Sequence, residues 1–137
     1  MATRSTIALE FADGTIGQVY CHWDGYLEHN GRILQQHYTQ EHKVRELVAL
    51  GDLSVLGDET GVQVDFNDRD THGSQCVAYG RDRGETEVSS VTYDNREMVA
   101  GLQEFNYLWS VSLGSWSVNT SSNNVWSGLS RQLALAA

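Results

Sequence analysis

Residues 3–23 constrain the fold most tightly, because they spell out a β-hairpin. Thr3 to Phe11 alternates as a strand, Ala12-Asp13-Gly14-Thr15 carries an Asp-Gly turn, and Ile16 to Trp23 supplies the return strand. The period of two places Ile7, Leu9 and Phe11 inward and Thr6, Ala8 and Glu10 on the other face. Arg4, the only basic residue in the first 31, then faces outward, open to a ligand or a second subunit. Such a hairpin leaves an apolar face that the rest of the chain must cover.

The cover is legible as helices. Asn30 can cap a helix carrying Ile33, Leu34, His37 and Tyr38, and Thr39 can cap a second whose stripe is Val44, Leu47, Val48 and Leu50, with Gly51 ending it. Further along, Gln75–Tyr79 and Ser89–Tyr93 read as a second strand pair around Arg81-Asp82-Arg83-Gly84-Glu85. Glu104–Ser110 and Ser115–Asn119 read as a third pair around Leu113-Gly114. Asn95–Gln103 supplies one or two helical turns, and Val125, Leu129 and Leu133 after Asn124 predict a C-terminal helix. With 137 residues, 40% of them hydrophobic, no proline and no linker or repeat, the expectation is one α+β domain over residues 1–137 with an antiparallel sheet.

Charge narrows the function. Net charge −9 opposes attraction to duplex nucleic acid and to anionic lipid. Acids concentrate at 58–70, where Asp58, Glu59, Asp65, Asp68 and Asp70 face only Arg69. No apolar run reaches the roughly 20 residues of a membrane span, and the opening Met-Ala-Thr-Arg-Ser leads into strand sequence, so a cytosolic protein without a membrane partner is expected.

Catalytic and metal motifs do not emerge. His22, His29, His37 and His42 cluster near Cys21, yet no His-Glu-x-x-His or paired Cys-x-x-Cys element exists, and His37 and His42 are five apart. Asp68 to Gly73 resembles the start of a calcium loop, but Tyr79 stands where the closing Glu belongs, so a solvated acidic loop is the better reading. Asn119-Thr120-Ser121 matches a glycosylation acceptor that a cytosolic chain would not use. Nucleophile elbows and phosphate loops are missing, and Cys21 in a strand reads as a buried, inert thiol. No catalytic residue, metal or cofactor is expected.

The residues that remain suit binding. Trp23, Tyr26, His29 and Asn30 sit where hairpin passes to helix, while Tyr79, Arg81, Arg83 and Tyr93 surround the middle turn. Aromatic faces stack on bases and arginine forks hold phosphate oxygens, the two contacts a nucleotide needs. The bland alternative places the aromatics in the core and makes Arg81–Glu85 a self-neutralising surface loop.

Several strings carry a family likeness: Thr3-Arg4-Ser5-Thr6-Ile7-Ala8, Val19 to Tyr26, His29-Asn30-Gly31, His37-Tyr38, Leu50 to Ser54 and Tyr79-x-Arg81-Asp82-Arg83-Gly84-Glu85. Over residues 3–57 and 76–118 the chain resembles a family of small bacteriophage and prophage proteins, and through it the Thoeris anti-defence sponges of the first type. The resemblance implies a non-enzymatic protein of the host bacterial cytoplasm that sequesters a cyclic ADP-ribose isomer made by a TIR-domain protein. It also implies binding of cyclic oligonucleotides in separate pockets and assembly as a homo-oligomer, a dimer or a multiple of dimers. Net charge −9 keeps a different class in play, an acidic inhibitor of a host defence protein in the manner of an anti-CRISPR. A phosphodiesterase or ADP-ribosyl hydrolase is a third class, told apart by a cleaved ligand. Oligomerisation is expected also from the aromatic content, with Trp109, Trp116 and Trp126 near the C-terminal end as interface candidates.

Overall fold

The hairpin forms as its turn signal dictates. Strands β1 (Ser5–Glu10) and β2 (Ile16–Cys21) pair antiparallel from Ser5↔Cys21 to Glu10↔Ile16. Asp13 accepts hydrogen bonds from the Thr15 N–H and hydroxyl, and Gly14 takes the left-handed φ of 90°. The structure, a computed structural model, describes residues 2–68, 73–120 and 123–136. Arg69 to His72 of the calcium-loop motif and Ser121 of the glycosylation motif therefore lie outside the described residues.

The helical cover is also present. A π-helical turn (Leu27–Gly31) runs into α1 (Arg32–His37), followed by α2 (Glu41–Ala49). The expected caps differ. Asn30 lies inside the helical segment, and Gln40 takes the position expected for Thr39, with no side-chain capping bond. Gly51 ends the helix at φ 78° as expected, and a Cβ there would collide with the Val88 carbonyl oxygen.

The sheet is mixed, which corrects the antiparallel expectation. Its order is β4-β3-β2-β1-β6-β7-β8, where β3 is Leu53–Val55, β4 Val77–Ala78, β6 Phe105–Ser110, β7 Ser115–Asn119 and β8 Ser127–Gly128. β1 runs parallel to β6 over its full length, and β2 parallel to β3. The third expected hairpin is β6–β7, closed at Gly114 with φ 65°. The second does not form. Tyr79–Arg83 is the short helix α3, stopped by Gly84 at φ 75°, and β5 (Val91–Tyr93) pairs with β2. A glycine that can turn a hairpin can equally end a helix, and the sequence signal is the same for both. The expected turns at 95–103 reduce to a 3-10 turn at Arg96–Val99. The last helix, α4 (Leu129–Ala136), begins after Val125, which is exposed, so only Leu129 and Leu133 of the expected stripe face the core.

Both faces of the sheet are covered. On one, Ile7, Leu9, Val19, Cys21, Tyr107, Trp109, Trp116 and Val118 pack against Leu34 and Tyr38 of the α1 region, α2 and α4. Trp109 and Trp116 are 4% and 3% exposed, so neither is the interface residue the composition suggested: the monomer core already contains them. The other face carries Ala8, Ile16 and Leu108 under Val99, Tyr93 and Trp126, clamped by Arg96, which holds Glu10 with bonds of 2.6 and 2.9 Å. No helix among the described residues is long and apolar enough to cross a membrane.

Both cysteines lie in the helix-side core, and burial pushes the Cys21 thiol up to about 12 and Cys76 in the same direction. Since the thiolate is the reacting species, the folded protein at pH 8 is expected to leave both thiols unmodified by iodoacetamide, and to yield two adducts once unfolded. Mass spectrometry after a timed pulse measures this. An adduct on the folded protein would contradict the burial.

Candidate functional site

The site forms where β2 runs out. Beyond Cys21 the backbone keeps pairing along β3, His22 N–H to the Leu53 oxygen at 3.0 Å and Trp23 N–H to Ser54 at 3.1 Å. Asp24, at φ 58°, and Gly25 then turn the chain back against the start of β1, where the Gly25 N–H reaches the Thr3 oxygen at 2.8 Å. A Cβ on Gly25 would lie 2.7 Å from that of Ser5 and 2.9 Å from the Thr3 oxygen. Gly25→Ala is therefore expected to cost about 1–3 kcal/mol by overpacking. A urea titration reads this as a lowered midpoint, and an unchanged midpoint would mean that the turn relaxes freely.

This turn sets the neighbours. Extending the β1–β2 register by one residue puts Arg4 opposite His22, on the face that also carries Thr6, Gln18 and Tyr20. The Tyr20 hydroxyl and His22 Nδ1 share a 2.7 Å hydrogen bond, and the His22 ring meets Trp23 edge-on at 4.8 Å. Arg4 is exposed and has no ion-pair partner among the described residues. Burial raises the Tyr20 hydroxyl above the usual phenol range, Arg4 opposes this, and Tyr79 and Asp52 add to it, so all four groups share one electrostatic neighbourhood. At neutral pH Tyr20 therefore keeps its proton.

Asp52 holds the two halves of the site together. Its carboxylate accepts the Tyr20 N–H at 2.9 Å, its carbonyl accepts the Tyr79 N–H at 3.2 Å, and its own N–H donates to Val88 at 2.7 Å. Burial pushes its carboxyl above the ordinary value, only partly offset by the Tyr20 bond. Tyr79, at the start of α3, packs on Phe66 with centroids 5.6 Å apart, and the Arg83 guanidinium lies over both rings at 4.9 and 5.4 Å. Arg83 also pairs with Glu85 at 3.0 Å and stays half exposed.

The sequence-named residues thus divide. Arg4, Trp23, Tyr79 and Arg83 link into one strip through Tyr20 and His22: Arg4 and Tyr79 both act on the Tyr20 hydroxyl, Trp23 meets the His22 ring, and Arg83 lies over Tyr79. Tyr26, which is 38% exposed, and His29 form a neighbouring pair at 6.1 Å. Asn30 is fully buried. Its amide nitrogen faces Ser5 Oγ, Cys21 Sγ and the Trp23 oxygen at 3.2–3.4 Å, and its oxygen orients His29 Nδ1 at 2.8 Å, so it frames the site from beneath. Arg81 is spent on structure: it grips Asp82 at 2.9 and 3.1 Å and donates to the Thr60 and Cys76 carbonyls at 2.7 and 2.9 Å. Tyr93 pairs with Ile16, four residues or about 13 Å along β2 from Tyr20, and packs in the second core cluster.

The sequence reading missed Tyr20, Asp52 and Phe66, and weighed His22 only as a metal ligand. Tyr20 and His22 were recoverable, because the alternation that faces Arg4 outward also faces them. Phe66 was not, since it arrives from the acidic loop through a tertiary contact. Among the described residues no group of three or more His, Cys, Asp or Glu side chains is close enough to hold a metal ion.

What the strip can do chemically follows from its donors. Two guanidinium groups, a phenol that keeps its proton and a row of ring faces can grip phosphate and stack a base. Protein-family models, curated proteins and solved structures were all compared with this chain, and none matches it.

Proposed function

We propose that this protein binds and sequesters a small cyclic nucleotide immune signal, of the cyclic ADP-ribose class, without cleaving it. The supporting observation is the juxtaposition of Arg4, exposed and without an ion-pair partner among the described residues, with the Tyr20–His22 pair and with the Tyr79–Phe66–Arg83 stack. Sequestration needs tight binding without turnover. The donors of the strip suit that, since two guanidinium groups and a phenol that keeps its proton can hold phosphate oxygens. The sequence resemblance to phage anti-defence sponges points the same way, and with it come the host bacterial cytoplasm as the place of action and cyclic oligonucleotides as further ligands.

The same reading includes a symmetric homo-oligomer, a dimer or a multiple of dimers. Copies of Arg4 brought together by a twofold axis would repel unless an anion lay between them, so ligand and assembly reinforce one another. Sedimentation at micromolar concentration is expected to give a multiple of 15.3 kDa, and a monomer would contradict this part. Net charge −9 favours the second reading, an acidic inhibitor that docks on a host defence protein.

One experiment separates these readings from hydrolysis. The protein is incubated with the product of a TIR enzyme, freed of unbound nucleotide and heated. Sequestration releases the intact cyclic nucleotide, hydrolysis a cleaved one, and a host-protein inhibitor none.

A further inference from the structure

The sheet face that carries the strip buries three amide side chains, Gln18, Asn106 and Asn119. Two of them are committed to the fold. Asn106 and Asn119 accept from the Thr6 hydroxyl and the Gly101 and Gln103 N–H groups, and donate to the carbonyls of Gln103, Asn123 and Val125, all at 2.7–3.0 Å. Gln18 is different: it is only 7% exposed, yet its side chain makes no hydrogen bond among the described residues. Neither end of its amide is sealed from solvent, because the one sealed and partnerless side-chain nitrogen or oxygen among the described residues is Trp109 Nε1. The small opening left to Gln18 therefore reaches both of its polar atoms. An amide buried to this extent without a partner costs stability that an apolar side chain of the same length would not.

The register places that opening beside the strip. Gln18 stands opposite Ala8 of β1 and Val91 of β5, where the apolar cluster under Tyr93 and Trp126 gives way to Tyr20 and Arg4. Ala8 offers only a methyl group, and Val91 is half exposed. Tyr20 follows about 7 Å along β2 on the same face, and the Arg4–His22 position about 13 Å. Guanidinium and indole groups only donate, and the Tyr20 hydroxyl is already shared with His22 Nδ1 at 2.7 Å, so these groups hold phosphate or stack without telling one base from another. The Gln18 amide sets a donor and an acceptor side by side. Resting on the sequestration reading above, we infer that Gln18 reads the adenine of the bound nucleotide, accepting from the N6 amino group and donating to N7 while Arg4 holds the phosphates. A glutamine amide matches that edge of adenine with two parallel hydrogen bonds. Hypoxanthine in the same place would turn two acceptors, O6 and N7, toward Gln18 and set its carbonyl oxygen against another oxygen. The N6/N7 edge also stays free when the nucleotide is closed into a ring through N1.

Cyclic ADP-ribose and cyclic inosine diphosphate ribose, both closed through N1, differ on this edge and serve as probes in calorimetry. The wild type is expected to bind the adenine compound about tenfold or more tightly than the inosine compound. Gln18→Met keeps the length of the side chain and removes both hydrogen bonds. It is expected to bring the two affinities together by weakening the adenine compound, with no fall in the urea midpoint of the free protein, since the amide holds nothing inside the fold. Equal affinities in the wild type, or a preference for adenine that survives in Gln18→Met, would overturn the inference while leaving sequestration standing. A Gln18→Met protein that fails to fold would show the amide to be structural and overturn it as well. Binding of neither compound would remove the inference along with the reading it rests on.

Discussion

Asp82→Ala is expected to destabilise the fold by about 3–5 kcal/mol, the usual result of stripping one partner from a buried ion pair. The Asp82 side chain is fully buried, and besides Arg81 it accepts the N–H groups of Ala78 at 2.8 Å and Val64 at 3.0 Å. Its loss strands a guanidinium and two backbone donors together. Arg83→Ala, which breaks the exposed pair with Glu85 and takes the guanidinium off the exposed faces of Phe66 and Tyr79, should cost at most about 2 kcal/mol by comparison. Guanidinium titrations of the two variants compare them directly, and similar midpoints would refute the assignment of Arg81–Asp82 as a strut.

The same carboxylate gives the stability a pH dependence of known sign. Burial pushes Asp82 up, but the bonds from Arg81, Ala78 and Val64 outweigh it and hold the carboxyl below its ordinary value. A group depressed in the folded state stabilises the fold above its unfolded pKa of about 3.9, and that share is lost as pH falls toward the folded value. Acid unfolding of the wild type should therefore be steeper below pH 4 than that of Asp82→Asn.

The second large effect is on binding. Arg83→Glu and Arg4→Glu should each weaken an anionic nucleotide by about tenfold or more, because each removes a phosphate partner and adds repulsion in a partly desolvated strip. The structure separates these two from Arg81, which the sequence had grouped with them. Arg81→Glu should unfold the loop at 58–66 before it reports on any ligand, since it loses the Thr60 and Cys76 carbonyls and faces Asp82 with a like charge. Calorimetry on folded variants reads the binding, and circular dichroism confirms the fold. Wild-type affinity in both Arg4→Glu and Arg83→Glu would reduce the strip to a solvated surface.

How much of this was legible in the sequence depended on the range of each interaction. The β1–β2 and β6–β7 hairpins carry their own turns, Asp13-Gly14 and Leu113-Gly114, so local chemistry specified them. The parallel pairing of β1 with β6 joins Ser5 to Phe105, and no local signal records a partner 100 residues away. α3 was misread because Arg81 to Glu85 looks like a charged hairpin turn. Its helical form is held by Asp82, which accepts the Ala78 N–H four residues back and, in a tertiary contact, the Val64 N–H. Arg4 and the Trp23–Asn30 segment could be placed near one another from the hairpin alone. That Tyr79 and Arg83 complete the strip required Asp52, whose three hydrogen bonds to Tyr20, Tyr79 and Val88 are invisible to periodicity.

The central claim is that the Arg4–Tyr20–Tyr79–Arg83 strip holds a cyclic nucleotide intact. Mass spectrometry of the small molecule released by heat from protein purified out of cells making a TIR-derived signal tests it most directly, with the Arg4→Glu/Arg83→Glu double variant in parallel. The account predicts an uncleaved cyclic ADP-ribose isomer from the wild type and little or none from the folded double variant. A hydrolysed product, or equal amounts of ligand on the two proteins, would contradict it.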